Sequence, residues 1–279
     1  MAPLGSPTSA QALHALHVVV TRPQAQASTV RDALQAAGAS VWLFPTLEIA
    51  ASAAEHQATV NFADYHFVIF ISVNAVHHAF AAPPSNAARH TCQPQLFDGS
   101  ATSPAALAVG PATASALQAR GVACAMPTQH STEGLLALAC LRDASPGARV
   151  LIVRGVGGSP DLAEGLRASG VSVDEIAVYQ RQLPRPEPGA LAGLACARGA
   201  VVVLVTSVQS FDNLWLLVDA EQRECLAKAA YFAVASTRIG AHISIARGGL
   251  ASERIWHLGG ADTAAVVHGL ARHWAQVKA

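Results

Sequence analysis

Charge is scarce in this sequence and balanced in sign. Only 13% of the 279 residues are charged, and Lys plus Arg equal Asp plus Glu at 18 each. Proteins that bind nucleic acid in general carry a basic surplus, so this composition disfavours that function, although local donors can still bind a small anion. Hydrophobic residues make up 52% of the chain, which suffices for a packed core and excludes extensive disorder.

Paired cysteines and metal-binding spacings are missing as well. The five cysteines are scattered and form no CxxC pair, which favours free thiols in a reducing compartment over a disulfide framework. Among the twelve histidines, the adjacent pair His77 and His78 has no carboxylate partner nearby in the sequence. The pattern therefore predicts no metal site and a cytoplasmic protein.

Long apolar runs are also missing. None approaches the roughly 18 residues of a membrane-spanning helix, so no membrane partner is expected. The start of the chain, MAPLGSPTSAQALHALH, lacks the basic segment and the sustained apolar segment of a signal peptide. Its Pro, Ser and Gly content predicts a flexible extension over residues 1–16.

The familiar motifs of nucleophilic, metal-dependent and nucleotide-binding enzymes do not occur. There is no GxSxG, no HExxH and no GxxxxGK[ST]. The loop with Gly155, Gly157 and Gly158 follows a strand as a dinucleotide loop does, but Pro160 stands where the third glycine is needed. Ser159 and Pro160 instead favour the cap and first residue of a helix, which makes a dinucleotide site the weaker interpretation.

What the sequence does contain is an internal repeat. The strand-like run VVVTR (18–22) reappears as VLIVR (150–154), each ending in arginine. Each run is followed by residues at the spacing of one helix face. The second set lies 132 positions after the first. The two sets are Val30, Ala33, Leu34 and Ala37, and Leu162, Gly165, Leu166 and Ser169. Both predicted helices end at a glycine, Gly38 and Gly170, which suits a left-handed residue after the helix.

The repeat continues in two further pairs of strands. The apolar runs FVIFIS (67–72) and VVVLVTS (201–207) each end in a serine suited to cap a helix. The stretches LAVGPATASAL (107–117) and YFAVASTRIGAHI (231–243) follow them, and later Thr132 and Thr263 each precede an apolar helix. Continuous apolar runs suit strands buried on both faces, so the pattern predicts two similar α/β domains with parallel sheets, an internal duplication. One larger sheet with chance similarity is the alternative.

Small, hydroxylated and cationic residues collect where the predicted strands end. These residues are Thr21, Arg22, Ser72, Val73, Asn74, Gly110, Pro111, Thr113, Arg154, Gly155, Thr206, Ser207, Ser236, Thr237 and Arg238. The carboxyl ends of parallel strands share one edge of a sheet, where helix N-termini offer unpaired N–H groups to anions. The set therefore predicts binding of carboxylates or phosphates. Taken singly, each Ser or Thr could merely cap a helix, and each Arg could form a surface ion pair.

Tyr179 lies at the end of the second copy's second strand, directly before the proline-rich segment 181–190. Its side chain could have only a packing role, at the junction of two domains. Alternatively, its hydroxyl could donate to a developing charge or to a leaving oxygen.

Taken together, the chain resembles the uroporphyrinogen-III synthase family. The resemblance rests on VTRP with LQAAGASVWLFPTLEI, VIFISVNAV, LAVGPATASAL, VLIVRG, VSVDEIAVYQRQ and VVVLVTSVQS, which occur in the family's order. It implies one domain formed by residues 1–46 and 184–279, a second formed by residues 49–177, and a two-stranded linker at residues 47–48 and 178–183. Residues 81–104 and the N-terminal extension lie outside the resemblance.

The resemblance also implies a function. The family closes the linear tetrapyrrole hydroxymethylbilane into uroporphyrinogen III, with loss of water and inversion of ring D, and without a cofactor. In that role Tyr179 would be catalytic, assisting departure of the ring A hydroxyl, and the strand-end residues would hold the substrate's acetate and propionate groups. A monomer that binds this small molecule is expected, and a non-catalytic two-domain module for an anionic metabolite is the alternative.

Overall fold

The computed structural model describes residues 11–52, 60–81, 92–194, 197–246, 248 and 250–278. Contacts divide the chain into two compact units. Unit 1 comprises Met1–Glu48 and Gln182–Ala279, and unit 2 comprises Ile49–Arg181. Unit 2 is therefore inserted in the sequence of unit 1. The expected domain limits at residues 46, 49, 177 and 184 lie close to these divisions.

Strands and helices alternate along most of the described chain. The strands are β1 (Leu16–Val20), β2 (Ser40–Leu43), β3 (Glu48–Ala51), β4 (Phe67–Phe70), β5 (Ala105–Ala108), β6 (Cys124–Ala125), β7 (Arg149–Gly155), β8 (Ser172–Gln182), β9 (Ala200–Val205), β10 (Ala230–Val234) and β11 (Ile255–His257). The α-helices are α1 (Gln24–Ala36), α2 (Val73–Ala79), α3 (Pro111–Gln118), α4 (Thr132–Leu136), α5 (Ala139–Arg142), α6 (Asp161–Ala168), α7 (Val208–Leu217), α8 (Ala220–Ala229), α9 (Thr237–Ala246) and α10 (Thr263–Lys278). None of these helices has the length and apolar character needed to cross a membrane.

Unit 1 is built on a parallel sheet with the order β11-β10-β9-β1-β2. In β1, Val18 and Val20 pack on the face covered by α1 and α10. Val19 points to the other face and packs with residues of α7 and α9, including Phe211. Because both faces of the sheet are covered, the sequences of β1 and β9 are continuously apolar and do not alternate between apolar and polar residues.

Unit 2 is built on a second sheet with the order β3-β8-β7-β4-β5-β6. The pairs from β8 to β6 are parallel. Ser52 N–H donates to the Val178 carbonyl and Gln182 Nε2 to the Glu48 carboxylate, so β3 runs antiparallel to β8. One face of the sheet packs against α2 and α3 and the other against α4, α5 and α6.

Apart from β3 at the edge of the unit 2 sheet, the two sheets have matching strand orders. Across unit 1 the order β11-β10-β9-β1-β2 corresponds to β6-β5-β4-β7-β8 across unit 2. This is the correspondence that the sequence repeat predicts, with β1, α1 and β2 matching β7, α6 and β8. Gly38 and Gly170, which follow the two matched helices, have φ values of 92° and 88°, the left-handed conformation that glycine adopts without strain.

The flexible extension expected over residues 1–16 is corrected in part. Residues 1–10 lie outside the described residues, but Leu13 and Leu16 are fully buried, and Leu13 N–H donates to the Ala37 carbonyl at 2.9 Å. The predicted flexible extension is therefore wrong for residues 11–16. Of the segment 81–104, residues 82–91 lie outside the described residues, and Pro94–Phe97 form a short 3-10 helix with Phe97 buried.

The caps of two helices lie one residue before the threonines singled out in the sequence. Ser131 Oγ accepts from Gly134 N–H at 3.2 Å, and Asp262 Oδ1 accepts from Ala265 N–H at 2.9 Å. Thr132 and Thr263 are the first helical residues instead. The apolar pattern located both helices, whereas the choice between neighbouring cap-forming residues depends on backbone geometry that the sequence does not display.

Candidate functional site

Ser72 forms the turn between β4 and α2 at the carboxyl edge of the unit 2 sheet. Its backbone is extended, with φ −163° and ψ 160°, and its Oγ accepts from Ala75 N–H at 3.0 Å. The predicted cap is confirmed. The next two predicted site residues, Val73 and Asn74, are half-buried in the first turn of α2.

The hydroxyl of Tyr179 lies beside this cap. Tyr179 Oη and Ser72 Oγ are 3.2 Å apart, and either can donate. Because Ser72 Oγ already accepts from Ala75 N–H, its own proton can be donated to Tyr179, which leaves the phenolic proton for another acceptor. The structure thus brings together two predicted site residues that are more than a hundred positions apart in the sequence.

Gly155 allows the Tyr179 ring to lie there. A Cβ atom at Gly155 would stand 2.5 Å from Cζ of Tyr179, a distance that the two atoms cannot adopt. The pairing of β7 with β8 is also irregular at this point, where Gly155 pairs with Tyr179. The absence of a side chain at Gly155 therefore makes room for the Tyr179 ring.

Arg154 is engaged within the protein. Its Nη1 donates to the Glu175 carboxylate on the neighbouring strand β8, and the Arg154 side chain is only 13% exposed. Arg167 Nη2 lies 3.4 Å from the other oxygen of Glu175. The Arg154–Glu175 pair lines a largely apolar cavity of about 190 Å³. Since Arg154 is mostly buried and already donates to Glu175, the structure does not support its expected role as a free carboxylate donor.

The turn between β5 and α3 supplies the remaining predicted residues of unit 2. Gly110 is buried against His130, and Thr113 is only 4% exposed inside α3. Pro111 is exposed at the first position of α3, where a proline needs no N–H donor. Gly110 and Thr113 are thus packing residues, and Pro111 is the residue of this turn that a ligand can reach.

In unit 1, Thr21 follows β1 and forms hydrogen bonds with two neighbouring segments of the chain. It is fully buried, its Oγ1 donates to the Leu204 carbonyl at 2.7 Å, and its own carbonyl accepts from Thr46. A hydroxyl enclosed in this way cannot reach a ligand. The structure therefore corrects the expectation that Thr21 contacts the substrate.

Arg22 follows Thr21 and is half-buried. Its Nη2 donates to the Ala261 carbonyl, and its buried Nε has no hydrogen-bond partner within the described part of the chain. Burial lowers the pKa of Arg22 from its usual value, and the nearby Asp262 carboxylate partly offsets this. Because the Arg22 side chain is only half-buried, part of it remains accessible at this edge of the sheet.

The hydroxyls that follow β9 and β10 are more accessible. Ser207 Oγ accepts from Ser210 N–H at 3.0 Å, which confirms the predicted cap of α7. Thr206 is half-buried, and the side chains of Ser236, Thr237 and Arg238 are exposed at the start of α9. These residues are accessible at the carboxyl edge of the unit 1 sheet.

One neighbour of Tyr179 was not anticipated. His78, considered in the sequence only as a metal ligand, stacks on the Tyr179 ring with centroids 5.7 Å apart and an interplanar angle of 27°. The contact joins α2 to β8, so no local pattern in the sequence could have indicated it. Among the residues that the structure describes, no group of three or more His, Cys, Asp or Glu side chains could hold a metal ion.

Comparison with known protein families gives one match that covers most of the chain. Residues 28–242 match the model described as Uroporphyrinogen-III synthase HemD. A relative from Salmonella typhimurium, named uroporphyrinogen-III synthase, is 29% identical over 236 residues, which is 82% of this chain and 90% of that protein.

Solved structures with the same fold carry similar names. A uroporphyrinogen-III synthetase from Helicobacter pylori aligns with a TM-score of 0.56 and 12% identity, covering 94% of this chain and 99% of that one. A mutant uroporphyrinogen III synthase from Thermus thermophilus aligns with a TM-score of 0.52 and 16% identity, covering 94% of this chain and all of that one. At such identities the likeness concerns the fold alone.

Proposed function

The chain belongs to the uroporphyrinogen-III synthase family, and we propose that the paired hydroxyls of Tyr179 and Ser72 assist its reaction. The reaction closes hydroxymethylbilane into uroporphyrinogen III, with inversion of ring D. The bond between the ring A carbon and its hydroxyl breaks, and that hydroxyl leaves as water once it has gained a proton. The catalytic demand is for one proton donor and for a substrate held in the correct conformation.

One observation carries this proposal: the 3.2 Å contact between Tyr179 Oη and Ser72 Oγ. The serine proton can be donated to the phenol oxygen, so the phenol proton becomes available to the leaving hydroxyl. The phenol proton passes to the leaving hydroxyl, and the Tyr179 oxygen, which accepts from Ser72, regains a proton from the ring A pyrrole N–H as water departs.

Carboxylate binding is proposed for the accessible strand-end residues. In unit 2 these are Ser72, Val73, Asn74 and Pro111, and in unit 1 they are Arg22, Thr206, Ser207, Ser236 and Thr237. Hydroxyls, one guanidinium and the N–H groups of helix N-termini are suitable partners for acetate and propionate groups.

Tyr179→Phe tests the proposal. We expect Tyr179→Phe to lower kcat for type III product roughly a hundredfold, within the range typical of a general acid, while the KM changes little. The measurement is the ratio of type III to type I isomer formed from synthetic hydroxymethylbilane, with the spontaneous closure in buffer as the blank. If the wild-type chain formed only type I product, the synthase activity itself would be refuted. Unchanged turnover by Tyr179→Phe would remove only Tyr179 from the mechanism.

We propose further that the chain acts as a monomer in the cytoplasm. The cysteines Cys92, Cys124 and Cys140 are free thiols, which supports a reducing compartment. Sedimentation velocity at micromolar concentration measures the oligomeric state, and a dimer under those conditions would contradict the monomer.

A further inference from the structure

The short helix α2 contacts Tyr179 twice. Its cap, Ser72, meets the phenol hydroxyl, and His78 in its last turn stacks on the ring. Both contacts come from one hydrogen-bonded element, because Val76 N–H donates to the Ser72 carbonyl and Phe80 N–H to the Val76 carbonyl. The two contacts are therefore fixed relative to each other.

A third contact restrains the same ring from β7. The backbone at Gly155 lies so close to the phenol that a Cβ atom there would overlap Cζ. Tyr179 is only 5% exposed, so the ring has little room around these neighbours. A phenol held at its hydroxyl, at its ring and against a backbone is pre-oriented for one hydrogen-bond direction.

We propose that His78 is a positioning residue for the reaction, whose imidazole holds the Tyr179 ring in the orientation that presents its hydroxyl to the substrate. This role rests on the proposed function of Tyr179. It does not require His78 to touch the substrate or to exchange a proton with it.

The surroundings of His78 suit an uncharged stacking partner. His78 is half-buried, and burial, followed by the neighbouring His77, lowers the pKa of His78 from its usual value. The imidazole is therefore neutral at neutral pH and presents a flat aromatic face to the phenol. A phenylalanine ring offers a similar face, but it has no ring nitrogen.

The experiment compares His78→Ala with His78→Phe. Loss of the ring in His78→Ala should lower kcat for type III product by ten- to a hundredfold, since small displacements of a catalytic group cost rates of that order, with KM changed less than twofold. His78→Phe should recover most of that loss. His77→Ala is the matched control: His77 lies on the same helix and is exposed, so its removal should leave kcat unchanged.

A double variant separates this inference from the role of Tyr179. If His78 acts through Tyr179, the variant His78→Ala/Tyr179→Phe should be no slower than Tyr179→Phe alone. Additive losses would overturn the inference, as would equal losses in His78→Ala and His78→Phe, because both results assign the imidazole a chemical role of its own. Normal turnover by His78→Ala beside slow Tyr179→Phe would refute the role of His78 only. If His78→Ala fails to fold, His78→Phe, alone and combined with Tyr179→Phe, decides the question.

Discussion

Two threonines at the carboxyl edge of the unit 1 sheet differ in what their hydroxyls can do. Thr21 is enclosed and donates to the Leu204 carbonyl, whereas Thr237 is exposed at the start of α9. In the sequence the two residues look alike, because each follows an apolar strand. Burial separates a residue that stabilises the sheet from one that can bind a ligand.

This difference predicts opposite effects of two substitutions. Thr21→Val keeps the shape but leaves the Leu204 carbonyl without its buried donor, which should cost about 1–3 kcal/mol of unfolding free energy and leave KM unchanged. If Thr237 binds a substrate carboxylate as proposed, Thr237→Ala removes that hydrogen bond and should raise KM roughly tenfold with unchanged stability. Urea unfolding and steady-state kinetics on both variants measure these effects. An increase in KM for Thr21→Val, or none for Thr237→Ala, would reverse the assignment.

At the scale of single elements, the apolar pattern predicts which face of a helix is buried, whereas cap-forming residues predict only approximately where the helix starts. The positions of Val30 and Leu34 correctly predicted the buried face of α1, and those of Leu162 and Leu166 the buried face of α6. Helix starts are less certain, because several adjacent residues can cap. Ser159 was expected to cap a helix starting at Pro160, but α6 starts at Asp161, whose N–H donates to Ser159 Oγ at 3.3 Å.

The start of α4 gives a direct test of a cap. Ser131→Ala removes the acceptor of Gly134 N–H and should lower the unfolding free energy by about 1 kcal/mol. Thr132→Ala, one residue later, removes a hydroxyl that does not cap and should change it by no more than about 0.5 kcal/mol. Chemical denaturation of the two variants against the parent chain makes the comparison. A larger loss for Thr132→Ala would place the cap at the residue that the sequence suggested.

At the scale of the whole chain, the repeat predicted the fold well and the site only in part. The constant shift between helix-spaced positions in the two copies indicated a repeat, and five strands of each sheet have matching orders. The association of Tyr179 with Ser72 and His78 depends on β8 packing beside α2, which no local pattern encodes. The Arg154–Glu175 pair was missed for the same reason, since it forms across two strands.

Global stability should also depend on alkaline pH through one buried tyrosine. Tyr65 Oη donates to Asp174 Oδ2 at 2.9 Å, and the Arg149 guanidinium lies 4.6 Å from the Tyr65 ring centre. Burial first, and then the hydrogen bond and charge of Asp174, raise the pKa of Tyr65 to about 12, although Arg149 opposes the shift. An unfolded tyrosine ionises near pH 10, so above that pH the unfolded chain releases a proton that the folded chain retains.

The unfolding free energy of the wild-type chain should therefore fall between pH 10 and 12, as the unfolded state binds fewer protons than the folded one. Below pH 10 the contribution of Tyr65 is fully present. Tyr65→Phe lacks this titration, so its deficit relative to wild type should be largest at pH 8 and should shrink as the pH approaches 12. Urea unfolding of both chains at a series of pH values gives the difference directly, with ionisation of the other tyrosines and of lysines cancelling between them. A deficit that stayed constant up to pH 12 would show that Tyr65 ionises equally in both states, contrary to the burial of its ring and its hydrogen bond with Asp174.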